Sequence, residues 1–266
     1  MSQAIVKHSD GGHWYRADGT PCHTIIGANG KERSFTLRDA KKTGDVYPSV
    51  TTILKTLNKP SLTRWLVENA IVAAVTTKQR DGEDIVEFAQ RIAEEAGQVA
   101  GQAADFGTRF HAMMQHIAEG YADLILDDDI RPYFAVAEEW FRENVKQVIS
   151  SERVIIGDGY AGTADLFALT HDGKKVLFDF KTKTFSKGKD GNWRPAQAYD
   201  EHVYQLAAYA DVLGADAIAN VFVNNAEPLP FTTIYHDDEK RSHGLTVFKQ
   251  VRDLWQTLNN YKPIAQ

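Results

Sequence analysis

Residues 153–181, RVIIGDGYAGTADLFALTHDGKKVLFDFK, decide the fold of this chain. They contain three runs of β-branched and aromatic residues, at Arg153–Ile156, Thr163–Thr170 and Lys174–Lys181, with glycines between the runs. Short runs of this composition bounded by turn residues are typical of β-strands. The stretch therefore predicts three consecutive strands.

Helical spacing replaces this pattern on the N-terminal side. Pro60-Ser61 is a typical helix start, and four stripes of apolar residues at three- and four-residue intervals lie between it and the strands. Each stripe predicts a helix whose apolar face packs in the core. The stripes are Leu62, Trp65, Leu66 and Ala70; Ile85, Phe88, Ile92, Ala96 and Val99; Phe106, Phe110, Met113 and Ile117; and Phe134, Ala137, Phe141 and Val145.

Helix and strand patterns alternate on the C-terminal side. His202–Leu213 predicts a helix, Asn220–Asn224 and Phe231–Tyr235 predict strands, and residues 245–258 predict a last helix. The centre of the chain is thus a helix, three strands, a helix and a strand. This order predicts a mixed α/β fold with an αβββαβ core and an N-terminal helical annex.

One large domain is expected to follow an N-terminal extension. Residues 1–48 are rich in glycine, aspartate and turn signals, which predict short strands and loops. Residues 49–266 predict a single domain, with its helical part at 60–148 and its core at 151–266.

The composition is that of an ordinary globular protein, with 43% hydrophobic and 25% charged residues. Every apolar run is far shorter than the roughly 20 residues that cross a bilayer. The first residues lack the pattern of a secretion signal. Cys22 is the only cysteine, which excludes an internal disulfide and a cysteine-held iron–sulfur cluster. We expect a cytoplasmic protein that does not bind membranes.

Three glycines in the deciding stretch have the G-x-G-x-x-G spacing of a dinucleotide-binding loop. They are Gly157, Gly159 and Gly162. In that loop a helix must follow, because its N-terminus binds the pyrophosphate. The residues after Gly162 have a strand pattern instead, so we interpret the glycines as part of a turn.

Asp179 and Lys181 are the first candidates for chemistry. Side chains alternate along a strand, so these two share one face while Phe178 and Phe180 point to the other. A carboxylate and a lysine at the end of an apolar strand suggest a catalytic site. A surface ion pair on an edge strand would give the same pattern.

Asp165 favours the catalytic interpretation through the turn His171-Asp172-Gly173. A three-residue loop with Gly173 in the left-handed conformation pairs Thr170 with Lys174 and places Asp165 opposite Asp179. Their Cβ atoms would then lie roughly 4.5–5.5 Å apart. A two-residue loop would instead put the two aspartates on opposite faces.

Two carboxylates so close repel each other unless a proton or a cation lies between them. Oxygen ligands of this kind favour Mg²⁺ or Mn²⁺. The same repulsion leads us to expect that removing Asp179 does not harm stability. The Asp179→Ala variant would even melt at a higher temperature without metal.

Four motifs in order resemble the PD-(D/E)xK nuclease superfamily. Gly162–Asp165 followed by Asp179-Phe180-Lys181 is similar to its signature. Gln205 and Tyr209 resemble the Q-x-x-x-Y motif of the RecB-like branch, and Gly107–His111 resembles its G-T-x-x-H helix. The resemblance implies a restriction-endonuclease-like core.

Within that branch the chain resembles the mitochondrial genome maintenance exonuclease group and phage-type exonucleases. Ser49-Val50-Thr51 and a following helix with Trp65 resemble their N-terminal portion, so the likeness covers roughly Tyr47 to Tyr261. The chain departs from the pattern at Ala164, where the signature has proline. It also lacks the cluster-binding cysteines of some members and any helicase motor.

The resemblance implies hydrolysis of DNA phosphodiesters with Mg²⁺ or Mn²⁺. It implies metal ligands at His111, Asp165, Asp179 and the Phe180 carbonyl. Lys181 would orient the attacking water or stabilise charge on the phosphoryl oxygens, and Gln205 and Tyr209 would steer the scissile nucleotide.

A basic segment follows the catalytic strand. Its candidate DNA contacts, opposed only by Asp190, are Lys183, Lys187, Lys189, Trp193 and Arg194. The cations could follow a phosphate backbone while the indole stacks on bases, as in proteins that bind single strands. A merely solvated surface is the alternative.

The likeness to end-trimming enzymes implies an end-dependent exonuclease that prefers single strands and acts in DNA replication, repair or recombination. The partners would be DNA with free ends and phage or host recombination proteins. The alternatives are an inactive nucleic-acid-binding module on the same fold, a structure-specific or double-strand nuclease, and a metal-dependent hydrolase of small phosphoesters.

Overall fold

The structure, a computed structural model, describes residues 12–120, 126–194 and 196–263, without the side chains of 61, 62, 96–100, 102 and 103. In chain order its elements are β1 (Trp14–Arg16), β2 (Thr24–Ile26), β3 (Glu32–Ser34), α1 (Leu37–Thr43), β4 (Val46–Pro48), α2 (Val50–Leu54), α3 (Pro60–Thr76), α4 (Ile85–Glu119), α5 (Arg131–Asn144), β5 (Gln147–Gly157), β6 (Tyr160–Leu169), β7 (Lys175–Lys183), α6 (Asp200–Leu213), β8 (Ala217–Asn224), β9 (Thr232–His236) and α7 (Asp238–Asn259).

A five-stranded mixed sheet forms the centre, in the order β5-β6-β7-β8-β9. Its neighbours are antiparallel except β7 and β8, which are parallel and joined by α6. The three strands predicted from residues 153–181 are β5, β6 and β7. Helix α5 precedes them and α6 and β8 follow, so the predicted mixed α/β fold with its αβββαβ core is confirmed.

The register of β6 and β7 is the one that the three-residue loop predicts. The Thr170 amide donates to the Lys174 carbonyl at 2.9 Å, and Leu166 pairs with Phe178. Gly173 has a φ of +84°, a left-handed conformation that only glycine adopts at little cost.

The glycines at 157 and 159 belong to the hairpin between β5 and β6. Gly157 pairs with Tyr160, and Gly159 takes a φ of +77° between them. Strand β6 continues past Gly162 without a helix. This confirms a turn and leaves no helix N-terminus to bind a dinucleotide there.

The two faces of the sheet are covered by different helices. On one face, Leu177 of β7 belongs to a hydrophobic cluster with Phe248 of α7. On the other face, Phe178 packs against Trp140 of α5, with ring centroids 5.1 Å apart, in a cluster that includes Phe110 of α4. Alternation along β7 therefore sends successive residues into separate cores.

The N-terminal residues pack onto the C-terminal helix. Trp14 of β1 is buried beside Trp255 and Tyr261, and the Tyr261 hydroxyl donates to the Val46 carbonyl at 2.6 Å. The predicted strands and loops are present in residues 12–48, whereas α1 and α2 were not predicted. The division at residue 48 remains a prediction.

The helical annex differs from its prediction in two ways. The second and third stripes lie on one continuous helix, α4, of 35 residues. The first stripe lies on α3 and was predicted to pack in the core. This prediction is wrong, because Trp65 and Leu66 are 42% and 45% exposed. Ile85 at the start of α4 is exposed as well, whereas Ile92 is buried.

The remaining stripes pack as predicted. Their members fill the cluster between α4, α5 and the sheet, with Phe106, Phe110, Met113, Ala137 and Phe141 buried and Ile117, Phe134 and Val145 packed at its margin. The predicted core positions Leu62, Ala96 and Val99 lie outside the described side chains. In the described part of the chain, no helix is both long enough and apolar enough to cross a membrane.

Candidate active site

The candidate site lies where β6 and β7 separate. The backbone pairing of these two strands ends at Leu166 and Phe178, so that Asp165, the neighbour of Leu166, lies just outside the ladder. The Asp165 Oδ2 atom then accepts a hydrogen bond from the Phe180 amide at 2.8 Å, in place of a backbone partner. The carboxylate is thereby held between the two strands.

Asp179 follows Phe178 on β7 and is only 3% exposed. Its Oδ1 atom accepts a hydrogen bond from Lys181 Nζ at 2.8 Å, and its Oδ2 atom accepts one from Asn220 Nδ2 at 2.7 Å. Burial by itself lowers the pKa of Lys181, but Asp179 and Asp165 outweigh it and raise that pKa. Lys181 therefore remains a charged donor at neutral pH.

These contacts argue against the expectation that Asp179→Ala is harmless or stabilising. The substitution removes the acceptor of the buried Asn220 amide. It also removes the charged hydrogen-bond partner of Lys181, which keeps only the longer bond to Gln205. A buried donor left without an acceptor costs more than the relief of repulsion returns. The variant should therefore lose stability.

Helix α4 places His111 against Asp165. Its Nδ1 atom lies 3.6 Å from Asp165 Oδ2 and 3.6 Å from Glu152 Oε1. One ligand atom from each of the three residues can be chosen so that all lie within 4.8 Å of one another. The two carboxylate oxygens suit Mg²⁺ and Mn²⁺, whereas the imidazole nitrogen is a ligand typical of transition-metal ions, so the mixed set fits Mn²⁺ better than Mg²⁺.

Glu152 is a residue that the sequence analysis missed. It lies on β5, where the pairs Ser151–Leu166 and Arg153–Ala164 place it opposite Asp165. Its φ of +44° is in the left-handed region that non-glycine residues avoid. The glycine turn at 157–160 sets this register, so counting back from that hairpin would have found Glu152.

Electrostatics at the three residues favour a bound cation. Burial raises the pKa of Asp165 to about 7. Burial lowers the pKa of His111, but Asp165 and Glu152 outweigh it and raise that pKa to about 9. In the metal-free protein the proton on His111 thus offsets part of the negative charge of Asp165 and Glu152, as a bound divalent ion would.

Helix α6 carries Gln205 and Tyr209, the residues of the Q-x-x-x-Y motif, on one of its faces. Gln205 Oε1 accepts a hydrogen bond from Lys181 Nζ at 3.4 Å. Tyr209 is buried, and its hydroxyl abuts Gly162 so closely that a Cβ there would collide with it. Glycine in the Gly162–Asp165 motif therefore makes room for Tyr209.

His202 shares this face, one turn before Gln205, and was not predicted. Burial lowers its pKa to about 4, with a further contribution from nearby Lys181. His202 is therefore neutral at physiological pH.

The basic segment folds into a small hairpin after β7. The Lys183 ammonium lies 4.9 Å from the centre of the Tyr199 ring, and Lys187 lies 4.3 Å from that of Trp193. Arg194 pairs with Asp190 at 3.2 Å, and Lys189 is exposed. Trp193, which was predicted to stack on bases, is half-buried, and the Lys187 side chain covers its ring.

No protein-family model matches the chain, and no curated protein matches it. Among solved structures it is similar to SSO0001, at 14% identity and a TM-score of 0.32 over 77% of this chain and 89% of that one. It is also similar to a protein from Eubacterium rectale, provisionally named an exonuclease, at 14% identity and a TM-score of 0.39 over 59% and 67%. Likenesses this distant carry no functional argument.

Proposed function

We propose that the chain is a metal-dependent deoxyribonuclease of the PD-(D/E)xK type, of the RecB-like branch. One observation supports this most: four motifs spread between residues 107 and 209 converge through direct contacts. Asp165 contacts His111, and Lys181 contacts both Asp179 and Gln205. A binding module that had lost its activity would tolerate the loss of one of these groups, and all are present.

In this proposal His111, Glu152 and Asp165 hold Mg²⁺ or Mn²⁺, with Asp179 and the Phe180 carbonyl completing the ligand set. The ion would polarise the phosphate and lower the pKa of a bound water. Lys181, held by Asp179 and Gln205, donates hydrogen bonds to the phosphoryl oxygens or to the attacking water.

The finer part of the proposal concerns the substrate. We propose an end-dependent exonuclease that prefers single-stranded DNA, works in the cytoplasm and serves replication, repair or recombination, with phage or host recombination proteins as partners. Helices α3 and α4 precede the core and are long enough to wall one strand into a channel. A duplex would have to be melted at about 1.4 kcal/mol per base-pair step, and no ATP-binding motif supplies that energy.

A linear single strand should be degraded while a covalently closed single-stranded circle survives, because a channel requires a free end. End-labelled linear and circular DNA, single- and double-stranded, would be incubated with Mg²⁺, with Mn²⁺ or with a chelator. The Lys181→Ala variant controls for contaminating nucleases. Absence of any metal-dependent cleavage would contradict the proposed function, whereas rapid cutting of the circle would contradict only the channel.

The basic segment should contribute phosphate contacts beyond the site. Neutralising Lys183, Lys187, Lys189 and Arg194 to alanine should weaken binding of single-stranded DNA. It should also flatten the slope of log affinity against log salt by about 0.7 per lost contact. Lys187 pairs with Glu227 at 3.6 Å and Arg194 with Asp190, so their shares should be smaller.

A control removes two lysines at the opposite end of the strand, Lys175 at the start of β7 and Lys174 just before it, and is compared per charge lost. Binding would be measured with Ca²⁺ in place of Mg²⁺ to prevent cleavage. An unchanged slope in the quadruple variant would assign the segment to an ordinary solvated surface.

A further inference from the structure

Three buried polar side chains on neighbouring strands, Asp179 of β7, Asn220 of β8 and His236 of β9, are joined by hydrogen bonds across the sheet. In the parallel register Asp179 of β7 lies beside Asn220 of β8. Asn220 Nδ2 donates to Asp179, and Asn220 Oδ1 lies 2.8 Å from His236 Nε2, at the end of β9. Asn220 is completely buried and His236 is 8% exposed.

Asn220 occupies a position where an apolar residue would be expected. Its neighbours Ala219 and Val221 are fully buried in the hydrophobic layer on the other face. A buried amide is costly unless its donors and acceptors are bonded. Here each end of the amide has one specific partner, so the group is oriented as well as satisfied.

The partners determine the direction of both of these hydrogen bonds. A carboxylate can only accept, so the amide nitrogen of Asn220 must face Asp179 and its oxygen must face His236. His236 must therefore carry a proton on Nε2 and act as the donor. Burial lowers the pKa of His236, which favours the neutral ring with that single proton.

We infer that Asn220 and His236 are positioning residues that fix the carboxylate of Asp179 for the chemistry of the site. With Oδ2 held by Asn220, only Oδ1 faces Lys181. The orientation of Asp179, and through it the position of the Lys181 ammonium, depends on two buried residues outside the proposed ligand set. This inference rests on the proposed function.

The test compares His236→Leu, which removes the donor, with His236→Gln, which keeps an amide N–H. Partners behind a ligating group typically change metal affinity or activity by about 10- to 100-fold. We expect His236→Leu to lower kcat by about that factor, with little change in KM for DNA, and to weaken Mn²⁺ binding measured by calorimetry. His236→Gln should recover most of both losses.

Thr233→Val is the matched control on the same strand. It removes the hydrogen bond from Trp140 Nε1, which is 2.9 Å long and lies on the opposite face. Its effect should be confined to thermal stability. Asn220→Leu should lower kcat and Mn²⁺ affinity as His236→Leu does. If Asn220→Leu does not fold, the comparison of His236→Leu with His236→Gln tests the inference by itself.

Two failures can be told apart. A wild-type protein that neither cleaves DNA nor binds Mn²⁺ would overturn the proposed function and this inference with it. A wild-type protein that does both, with His236→Leu indistinguishable from Thr233→Val in kcat and Mn²⁺ affinity, would overturn this inference alone.

Discussion

Asp165→Asn and Asp179→Ala should both abolish cleavage, yet shift the melting temperature of the metal-free protein in opposite directions. Each removes a group of the proposed site, so kcat should fall by at least about 100-fold. The two variants differ in stability because burial disfavours the charged form of Asp165. Both oxygens of the Asp179 carboxylate, in contrast, accept hydrogen bonds.

Asp165→Asn should raise the melting temperature at pH 8. The pKa of Asp165 is raised in the folded protein, so the penalty for its charge is absent near pH 4 and complete above about pH 7. Asparagine keeps an acceptor for the Phe180 amide without the charge. His111 loses a charged partner as well, but an imidazole, unlike the Lys181 ammonium, can release its proton at this pH. We expect a gain of about 1–3 kcal/mol, worth about 2–4 °C per kcal/mol, and the gain should shrink as the pH falls.

Asp179→Ala should lower the melting temperature at every pH at which Lys181 is charged. It leaves the buried Asn220 amide without its acceptor and leaves the Lys181 ammonium with only the 3.4 Å hydrogen bond to Gln205, at a total cost of about 3 kcal/mol. Asp128→Asn, at an exposed position, controls for the loss of a negative charge and should change stability by less than about 0.5 kcal/mol. A lower melting temperature for Asp165→Asn at pH 8 would contradict this account of the site.

Local chemistry explains which parts of the fold were predictable. The register of β6 and β7 followed from the single turn at His171–Gly173, because one hairpin sets the pairs of the ladder that continues from it. This holds as far as Leu166 and Phe178, where the ladder ends before the predicted pair of Asp165 and Asp179. The exposed face of α3 was not predictable in the same way. Periodicity shows that Trp65 and Leu66 share a helix face, but it does not show what packs against that face. Helices α1 and α2 are too short to produce a stripe.

The sequence analysis found the residues of the candidate site only where they belong to motifs. Asp165, Asp179 and Lys181 are close in sequence and their alternation is visible. Glu152 follows no motif, and its place opposite Asp165 needs the register of a second hairpin. Asn220 and His236 act across three strands, and such lateral contacts are set by tertiary packing. Their partners therefore could not be inferred from local pattern.

Glu152→Gly should make the metal-free protein more stable and its metal binding much weaker. The left-handed φ of Glu152 costs roughly 1–2 kcal/mol for a residue with a Cβ, and glycine removes that cost. The same change removes a carboxylate from the group that includes His111 and Asp165. We expect the Mn²⁺ dissociation constant to rise by about 10- to 100-fold.

Glu152→Gln separates the two effects, because it keeps the strained backbone and loses only the charge. It should weaken Mn²⁺ binding without the gain in stability from glycine. Asn260→Gly is the matched control for backbone strain, since Asn260 has the same φ of +44° at the end of α7. It should leave Mn²⁺ affinity unchanged. If both Glu152 variants bound Mn²⁺ as tightly as the wild-type protein, Glu152 would be excluded from the ligand set, and its strained backbone would be a feature of the β5 strand alone.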